Sequence, residues 1–329
     1  MKGPGVAVST GARLHFGLRN LARAGDRLFG GIGLAIAEPG ISLTVRPADR
    51  ITADHRRAQQ IAIRVVDYLK VDGASIEVDR SLPAHVGYGS GTQLTLAVAL
   101  GIAHAHGINP SIRELASHLD RGGRSGVGVA CVETGGFVVD AGHPIDAVDT
   151  HVASERVAPI ARQTRFPRDW RIVLLQPAVS AGRSGTHEDR SIQRAIEQAD
   201  PTIADRIEEQ LETAVLPGIN SKDIDTFGAG ITRIDTLTGQ WFASEQGEIH
   251  RPPCDSVIEG LADAPSIAGW GQSSWGPLCY GFTTRDDVPD AIADCQAILD
   301  RTGIPGSITV TEARNRGIAI RPVDGATPT

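Results

Sequence analysis

The sequence predicts an α+β chain of two domains. Three observations lead there: strand-like and helix-like pieces alternate through the first half, glycine clusters at a few sites, and periodicity lapses over residues 143 to 168 before regular structure resumes. A length of 329 residues suits one large or two ordinary domains. With 41% apolar and 22% charged residues the chain can bury a core. That balance excludes disordered, collagen-like and disulfide-scaffold proteins. We place the boundary at residue 155, giving an N-terminal α+β domain (1–155) and a C-terminal domain (156–329).

Val6 to Ser9 and Arg13 to Leu18 read as short strands, as does Ile41 to Val45, closed by Pro47. From Ala53 to Leu69, Ile61, Val65 and Leu69 form the stripe of a surface helix. Ala74 to Val78 alternates as a half-buried strand. The helix from Leu94 to about Ala103 is apolar on all sides and belongs in the middle of a core. Ser111 is placed as an N-cap for a helix carrying Ile112, Leu115, Ala116 and Leu119. A glycine-rich stretch, RGGRSGVGVACVETGG, then leads into the strand Phe137 to Asp140.

In the second half, Ile172 to Leu175 reads as a buried strand followed by helices near Glu188 to Gln198 and Pro201 to Val215. Asp200-Pro201 supplies an N-cap with proline at the first helical position. Cys279 to Thr283 and Ser307 to Thr311 are strands flanking the helix Asp286 to Arg301, and the tail after Arg321 reads as frayed. Strand, helix and strand with an antiparallel partner give a split β-α-β, ferredoxin-like domain.

Composition narrows the function. The net charge of -7 argues against nucleic acid or a membrane surface as partner. Aromatic residues at 4% disfavour base stacking as the main task. Cys131, Cys254, Cys279 and Cys295 show no metal-binding spacing and read as reduced, buried thiols. No apolar run reaches the ~18 residues of a membrane span, and the start lacks the apolar core of a signal peptide. A cytoplasmic location is therefore expected.

Two loops are built for anions. HVGYGSGTQ places Gly87, Gly89, Ser90, Gly91 and Thr92 directly before a helix. Glycines let backbone N–H groups approach an anion, and the helix N-terminus adds unpaired donors. The segment is neither a Walker loop nor a dinucleotide fingerprint, and a tight turn feeding a buried helix is the plain alternative. GWGQSSWGPLCYGFT offers Gln272, Ser273 and Ser274 in similar surroundings, or is simply a loop. Two such loops in one chain point to a cleft between domains. Arg13, His15, Arg19, Arg23 and Arg27 lie close together, with Arg121, Arg124 and Arg183 further on. Arginine binds phosphate and carboxylate bidentately, although a solvated basic edge fits equally.

ARLHFGL, LPAHVGYGSGTQLTLAVA and GWGQSSWGPLCYGF, in that order, resemble the three motifs of the GHMP superfamily of small-molecule kinases. The resemblance covers nearly the whole chain and implies a GHMP-kinase-like two-domain fold with phosphates on the middle motif. More narrowly, these segments with GRSGVGVACVETGGFVVDAGH look like the β-ribofuranosylaminobenzene 5′-phosphate synthase family, a branch that is not a kinase. That likeness implies condensation of phosphoribosyl pyrophosphate with p-aminobenzoate, releasing carbon dioxide and pyrophosphate in methanopterin biosynthesis. It also implies a divalent ion, usually Mg²⁺, and a homodimer.

In many GHMP kinases the third segment reads S-G-x-D, whose Asp handles the acceptor hydroxyl. Here Ser125-Gly126-Val127-Gly128 has glycine in its place, which weakens a kinase reading without excluding it. Decarboxylative condensation needs charge stabilisation on the departing diphosphate and a poorly solvated pocket. On this reading Gly87, Gly89, Ser90, Gly91 and Thr92 hold the pyrophosphate. Arg13 and Arg27 clamp the 5′-phosphate or the benzoate carboxylate, and His15 donates to a phosphate oxygen. Arg124 and Ser125 close the cleft from the third segment, and Gln272, Ser273 and Ser274 reach in from the second domain. Trp275 reads as core. Glu133, Asp140 and Asp120 are the candidate metal partners, and the sequence does not choose among them. The alternatives are a GHMP kinase acting on a small alcohol and a non-catalytic anion-binding protein on the same fold.

Overall fold

One long hairpin organises the N-terminal half. In the computed structural model, which describes residues 4–149, 156–179 and 186–323, β1 (Gly5–Asn20) runs antiparallel to β2 (Arg27–Pro47). The two short strands expected in β1 are one strand with register shifts at Gly11/Ala12 and His15/Gly17. The first shift is steric, since a Cβ on Gly11 would overlap the Ile36 carbonyl oxygen. The second resets the alternation of side chains in the middle of the candidate arginine-histidine segment.

From there β3 (Thr52–Ala53) leads through α1 (Arg56–Leu69) into its parallel partner β4 (Ala74–Arg80). The face that α1 buries is Ala58, Ala62 and Val65, with Ile61 and Leu69 at its margins. The apolar helix is α2 (Ser90–Ala105), buried almost throughout. At Gly101 it comes close to β2: a Cβ there would lie 2.7 Å from a Val45 methyl. The Ser111 hydroxyl caps α3 (Ile112–His118), as expected. The glycine-rich stretch after it forms α4 (Val127–Glu133), a helix the composition hid, before β5 (Phe137–Asp140). Next come β6 (His143–Pro144), α5 (Ile145–Asp149) and β7 (Ile160–Thr164).

The second half contains β8 (Trp170–Pro177), α6 (Thr186–Gln198) and α7 (Pro201–Gln210), the last capped by Asp200 as expected. A π-helical turn at Leu211–Val215 leads into α8 (Leu216–Ser221) and then α9 (Ile224–Gln246). The chain continues through α10 (Cys254–Ala262), β9 (Gly269–Gln272), β10 (Cys279–Thr284), α11 (Val288–Thr302), β11 (Gly306–Thr311) and β12 (Ala319–Val323). Strands β11-β8-β10-β9 form an antiparallel sheet with the strand order of a ferredoxin-like domain. The first sheet runs β12-β1-β2-β4-β3, with β5 bridging β2 and β7. It therefore takes in β7 and β12 from beyond residue 155. Residues 319 to 323, partly read as frayed tail, are paired along β1 from Ser9↔Ala319 to Gly5↔Val323.

The two sheets share one core. Phe16 from β1 lies 5.1 Å from Tyr280 and 5.8 Å from Phe282 of β10, and Phe137 reaches Phe227 of α9 at 6.4 Å. All four cysteines are buried, free thiols. Among the described residues, no helix is long and apolar enough to cross a membrane.

Glycines keep α9 against β9 despite their low helix propensity. A Cβ on Gly228 would overlap the Ala268 carbonyl and sit 2.9 Å from the Gly269 nitrogen. Gly228→Ala is expected to destabilise by about 1–3 kcal/mol through forced separation of helix and strand, read as a lower urea midpoint.

Candidate active site

The two glycine-rich loops predicted from sequence are zipped together. The Ser273 hydroxyl donates to the Gly87 carbonyl oxygen at 2.8 Å, and the Leu278 N–H donates to that of Val86 at 3.1 Å. Glycine is required at position 276, where a Cβ would overlap the Val86 carbonyl. Gly87 itself has φ +125°. Arg13 locks the same turn from β1: its Nη1 donates to Gly87 O at 2.6 Å and its N–H to Tyr88 O at 3.0 Å. The His15 N–H donates to Ser273 Oγ at 3.1 Å, and the Ser274 N–H to His15 O at 3.2 Å.

Gly89, with φ +70°, is the N-cap of α2, so Ser90, Gly91 and Thr92 form its first turn. Their N–H groups lie where intrahelical acceptors run out and the helix dipole is positive. A second positive group stands beside them: a Cβ on Gly91 would be 3.4 Å from Arg121 Nη1. Burial pulls down the proton affinity of Arg121, with Arg57 and Arg64 adding to the effect and Asp120 opposing it. Its Nε is buried without a partner. A helix N-terminus facing a crowded guanidinium is stabilised by an anion between them.

Behind this turn runs a chain of hydrogen bonds. His15 Nε2 lies 3.1 Å from Ser125 Oγ, which donates to Asp140 Oδ2 at 3.3 Å. Asp140 also accepts from the N–H groups of Gly126 (2.7 Å) and Gly142 (2.9 Å). Burial raises the Asp140 carboxyl above the usual range, against the pull of these donors. Burial, assisted by Arg13, pushes the His15 imidazole down to about 3. His15 is therefore a neutral hydrogen-bonding group near pH 7 and brings no charge to a phosphate.

A cavity of about 150 Å³ opens from this chain toward α9. Arg13, His15, Arg124, Gln272 and Ser274 line it, so five of the predicted residues meet there. Arg27 does not: its Nε and Nη2 donate to the carbonyls of Ala141 and Gly142, each at 2.7 Å, bracing the start of β2. Gln272 is committed to backbone, with Oε1 accepting from Arg251 N–H (2.8 Å) and Nε2 donating to Ser274 O (3.0 Å). Arg183 lies outside the described residues.

Sequence reading missed the far wall. Phe16, Phe242 and Trp275 make it aromatic, the last two packed edge-on at 4.7 Å. Trp275 is mostly buried, as its core reading implied, and lines the cavity as well. Asp235 and His250 add a close pair at 2.6 Å between Oδ2 and Nε2. The only available signal was a carboxylate one helical turn before Thr238, inside a helix that its glycines disguised.

The candidate metal partners are each engaged. Glu133 pairs with Arg113 (2.9 Å), Asp120 pairs with Arg64 (2.7 Å), and Asp140 accepts the bonds given above. Among the described residues, no three His, Cys, Asp or Glu side chains gather to form a metal cage.

The His15 displacement sets a pH dependence. Between about 3 and the ordinary 6.5 the unfolded chain binds a proton that the folded chain refuses. Stability is therefore full above pH 6.5 and falls as pH drops through that window. Urea titrations are expected to show a steeper decline for wild type than for His15→Gln; parallel slopes would refute the assignment.

Residues 56–136 match the model of the GHMP kinases N-terminal domain. Among solved structures, a Streptococcus pneumoniae phosphomevalonate kinase superposes with a TM-score of 0.69 at 12% identity, covering 94% of this chain and all of that one. A Methanococcus jannaschii mevalonate kinase gives 0.65, also at 12% identity, with 94% and 98% covered. These likenesses concern the fold. Gly128 lies in α4 directly against Thr92, where a Cβ would already be 3.3 Å from the Thr92 Cβ, so a kinase-type carboxylate there would crowd the first turn of α2. The beta-ribofuranosylphenol 5′-phosphate synthase of Methanothermobacter thermautotrophicus is 33% identical, over 95% of this chain and 97% of its own length. Its Archaeoglobus fulgidus namesake is 32% identical, over 96% and 99%. On the strength of that near full-length identity, the chain belongs to the β-ribofuranosylphenol 5′-phosphate synthase family, built on the GHMP kinase fold.

Proposed function

We propose that this chain joins C1 of phosphoribosyl pyrophosphate to the ring of a para-substituted benzoate, with loss of pyrophosphate and carbon dioxide. The observation that carries this reading is the meeting of two unlike environments at Arg13. On one side lie the first turn of α2 and Arg121, which together attract an anion. On the other lies an apolar, aromatic-walled cavity suited to a ring. Arg13 spans them: a Cβ on Gly89 would touch its Cγ at 2.7 Å, while the same side chain lines the cavity. The names of the relatives place a phenol in their product, whereas the sequence resemblance implied an aniline. Both need an electron-donating group opposite the carboxylate, and we propose para-hydroxybenzoate as the preferred acid.

The ring carbon bearing the carboxylate forms a bond to C1 as the C1–O bond to diphosphate breaks. The ring–carboxylate bond then breaks, and its electron pair restores aromaticity. The amides of Ser90, Gly91 and Thr92 with Arg121 hold the diphosphate as its charge grows. Arg124 and Arg13 hold the remaining anionic groups at the junction. The aromatic wall keeps water from the carboxylate, which favours its loss. Among the described residues no three His, Cys, Asp or Glu side chains gather, so a Mg²⁺ ion would be carried by the diphosphate, and the Ser90 and Thr92 hydroxyls of the same turn would help to hold it. When bound there it would neutralise part of the leaving charge.

Incubation of the protein with phosphoribosyl pyrophosphate, para-hydroxybenzoate and Mg²⁺ is expected to yield the aryl riboside phosphate by mass, with equimolar pyrophosphate and carbon dioxide. Arg121→Ala should lower kcat/KM for the sugar diphosphate about 100-fold, of the order of losing one charge-stabilising donor. Unchanged kinetics would take Arg121 out of the site, and phosphate transfer from ATP to an alcohol would replace the whole reading.

A further inference from the structure

The buried pair of Asp235 and His250 has no part in the chemistry assigned so far, yet it lines the same cavity. Helix α9 presents Asp235, Thr238, Phe242 and Gln246 to that cavity on one face, at the spacing of successive turns. Both oxygens of Asp235 are used: Oδ1 accepts the Gln272 N–H at 2.8 Å, and Oδ2 faces His250 Nε2 at 2.6 Å. A carboxylate held this way fixes the tautomer of the imidazole, with the proton on Nε2 and the lone pair on Nδ1. Nearby, Thr238 Oγ1 is buried without a partner, at the point where Gly17 of β1 meets α9. An orphaned hydroxyl and an imidazole lining one cavity call for a ligand group that can both accept and give a hydrogen bond.

We propose that this end of the cavity reads the substituent opposite the carboxylate of the aromatic acid, with His250 as catalytic base for a phenolic hydroxyl and Asp235 as its positioning residue. The assignment rests on the synthase reading above. Arg13 and Arg124 line the cavity, and Arg13 also packs on Gly89 at the start of the phosphate turn, so an acid that directs its carboxylate-bearing carbon past Arg13 toward C1 of the sugar directs its para group toward α9. As that carbon bonds to C1 and diphosphate departs, the hydroxyl gives its proton to His250 Nδ1, and the O–H electrons become the carbonyl of a cyclohexadienone. Loss of carbon dioxide returns an electron pair to the ring, and the oxygen recovers its proton from His250. No proton is gained or lost overall. An amine in the same position delivers its nitrogen lone pair without giving up a proton, so it needs no base.

That difference provides the test. Steady-state kinetics with para-hydroxybenzoate and para-aminobenzoate compare wild type, His250→Gln and Asp235→Asn, each checked for native circular dichroism. His250→Gln is expected to lose about 100-fold or more in kcat with the hydroxy acid, the usual contribution of a general base, and less than about tenfold with the amino acid. KM for phosphoribosyl pyrophosphate should not move. Asp235→Asn should shift the ratio in the same direction by less. Equal losses on both acids, or no loss, would overturn the base role while leaving the synthase reading intact. A wild-type protein that converts neither acid overturns both together. Should the variants not fold, para-methoxybenzoate decides with wild type alone. It has no proton to give and is expected to inhibit competitively without conversion, whereas turnover at the rate of the hydroxy acid overturns the proposal.

Discussion

Everything at this site depends on the backbone contact between the turn at Val86–Gly89 and the loop that follows β9. The Val86 carbonyl occupies the space a side chain at residue 276 would need, and the Ser273 hydroxyl closes onto Gly87. The contact fixes the cavity wall at Arg13, His15 and Ser274, because one β1 segment is bonded to both loops. Arg13 reaches the first loop, and the His15 backbone reaches the second. The shared aromatic core of Phe16, Phe137, Phe227, Tyr280 and Phe282 holds the two sheets at a spacing that keeps these short hydrogen bonds made.

Electrostatics follow from that geometry rather than from net charge. A chain at -7 nonetheless gathers Arg121, Arg57 and Arg64 near the first turn of α2, where burial and mutual repulsion lower the proton affinity of Arg121. The same burial silences His15 and lifts Asp140. Positive charge thus gathers at the α2 turn and, through Arg13 and Arg124, on one part of the cavity wall, while Asp235, His250 and Thr238 line another. An elongated acid with an anionic end and a protic end fits that polarity.

Much of this was legible in the sequence. The α2 turn, both glycine-rich loops, the Ser111 and Asp200 caps and the ferredoxin-like strand pattern each carried a local signal, because glycine at a close approach and a hydroxyl at an N-cap are local demands. Helices α4 and α9 were illegible for a related reason. Their glycines, at 128, 228, 230 and 239, answer tertiary contacts with Thr92, the start of β9, the Ala214–Val215 turn and the Ile249 backbone respectively, and in isolation they read as helix breakers. With α9 hidden, Asp235 and Thr238 had no face on which to be placed, and His250 had no partner. Arg27 shows the opposite error: its position ahead of a glycine cluster suggested an anion clamp, yet its guanidinium is spent on two backbone carbonyls.

The pairing of β12 with β1 has a consequence for how the chain can be handled. Five residue pairs from Gly5↔Val323 to Ser9↔Ala319 seal the outer margin of the first sheet. Truncation ahead of Ala319 would strip that seal and bare the N–H and C=O groups of the strand that also carries Arg13 and His15. An unsealed strand margin recruits other chains, so such a truncated form would be prone to self-association through the very segment that organises its chemistry.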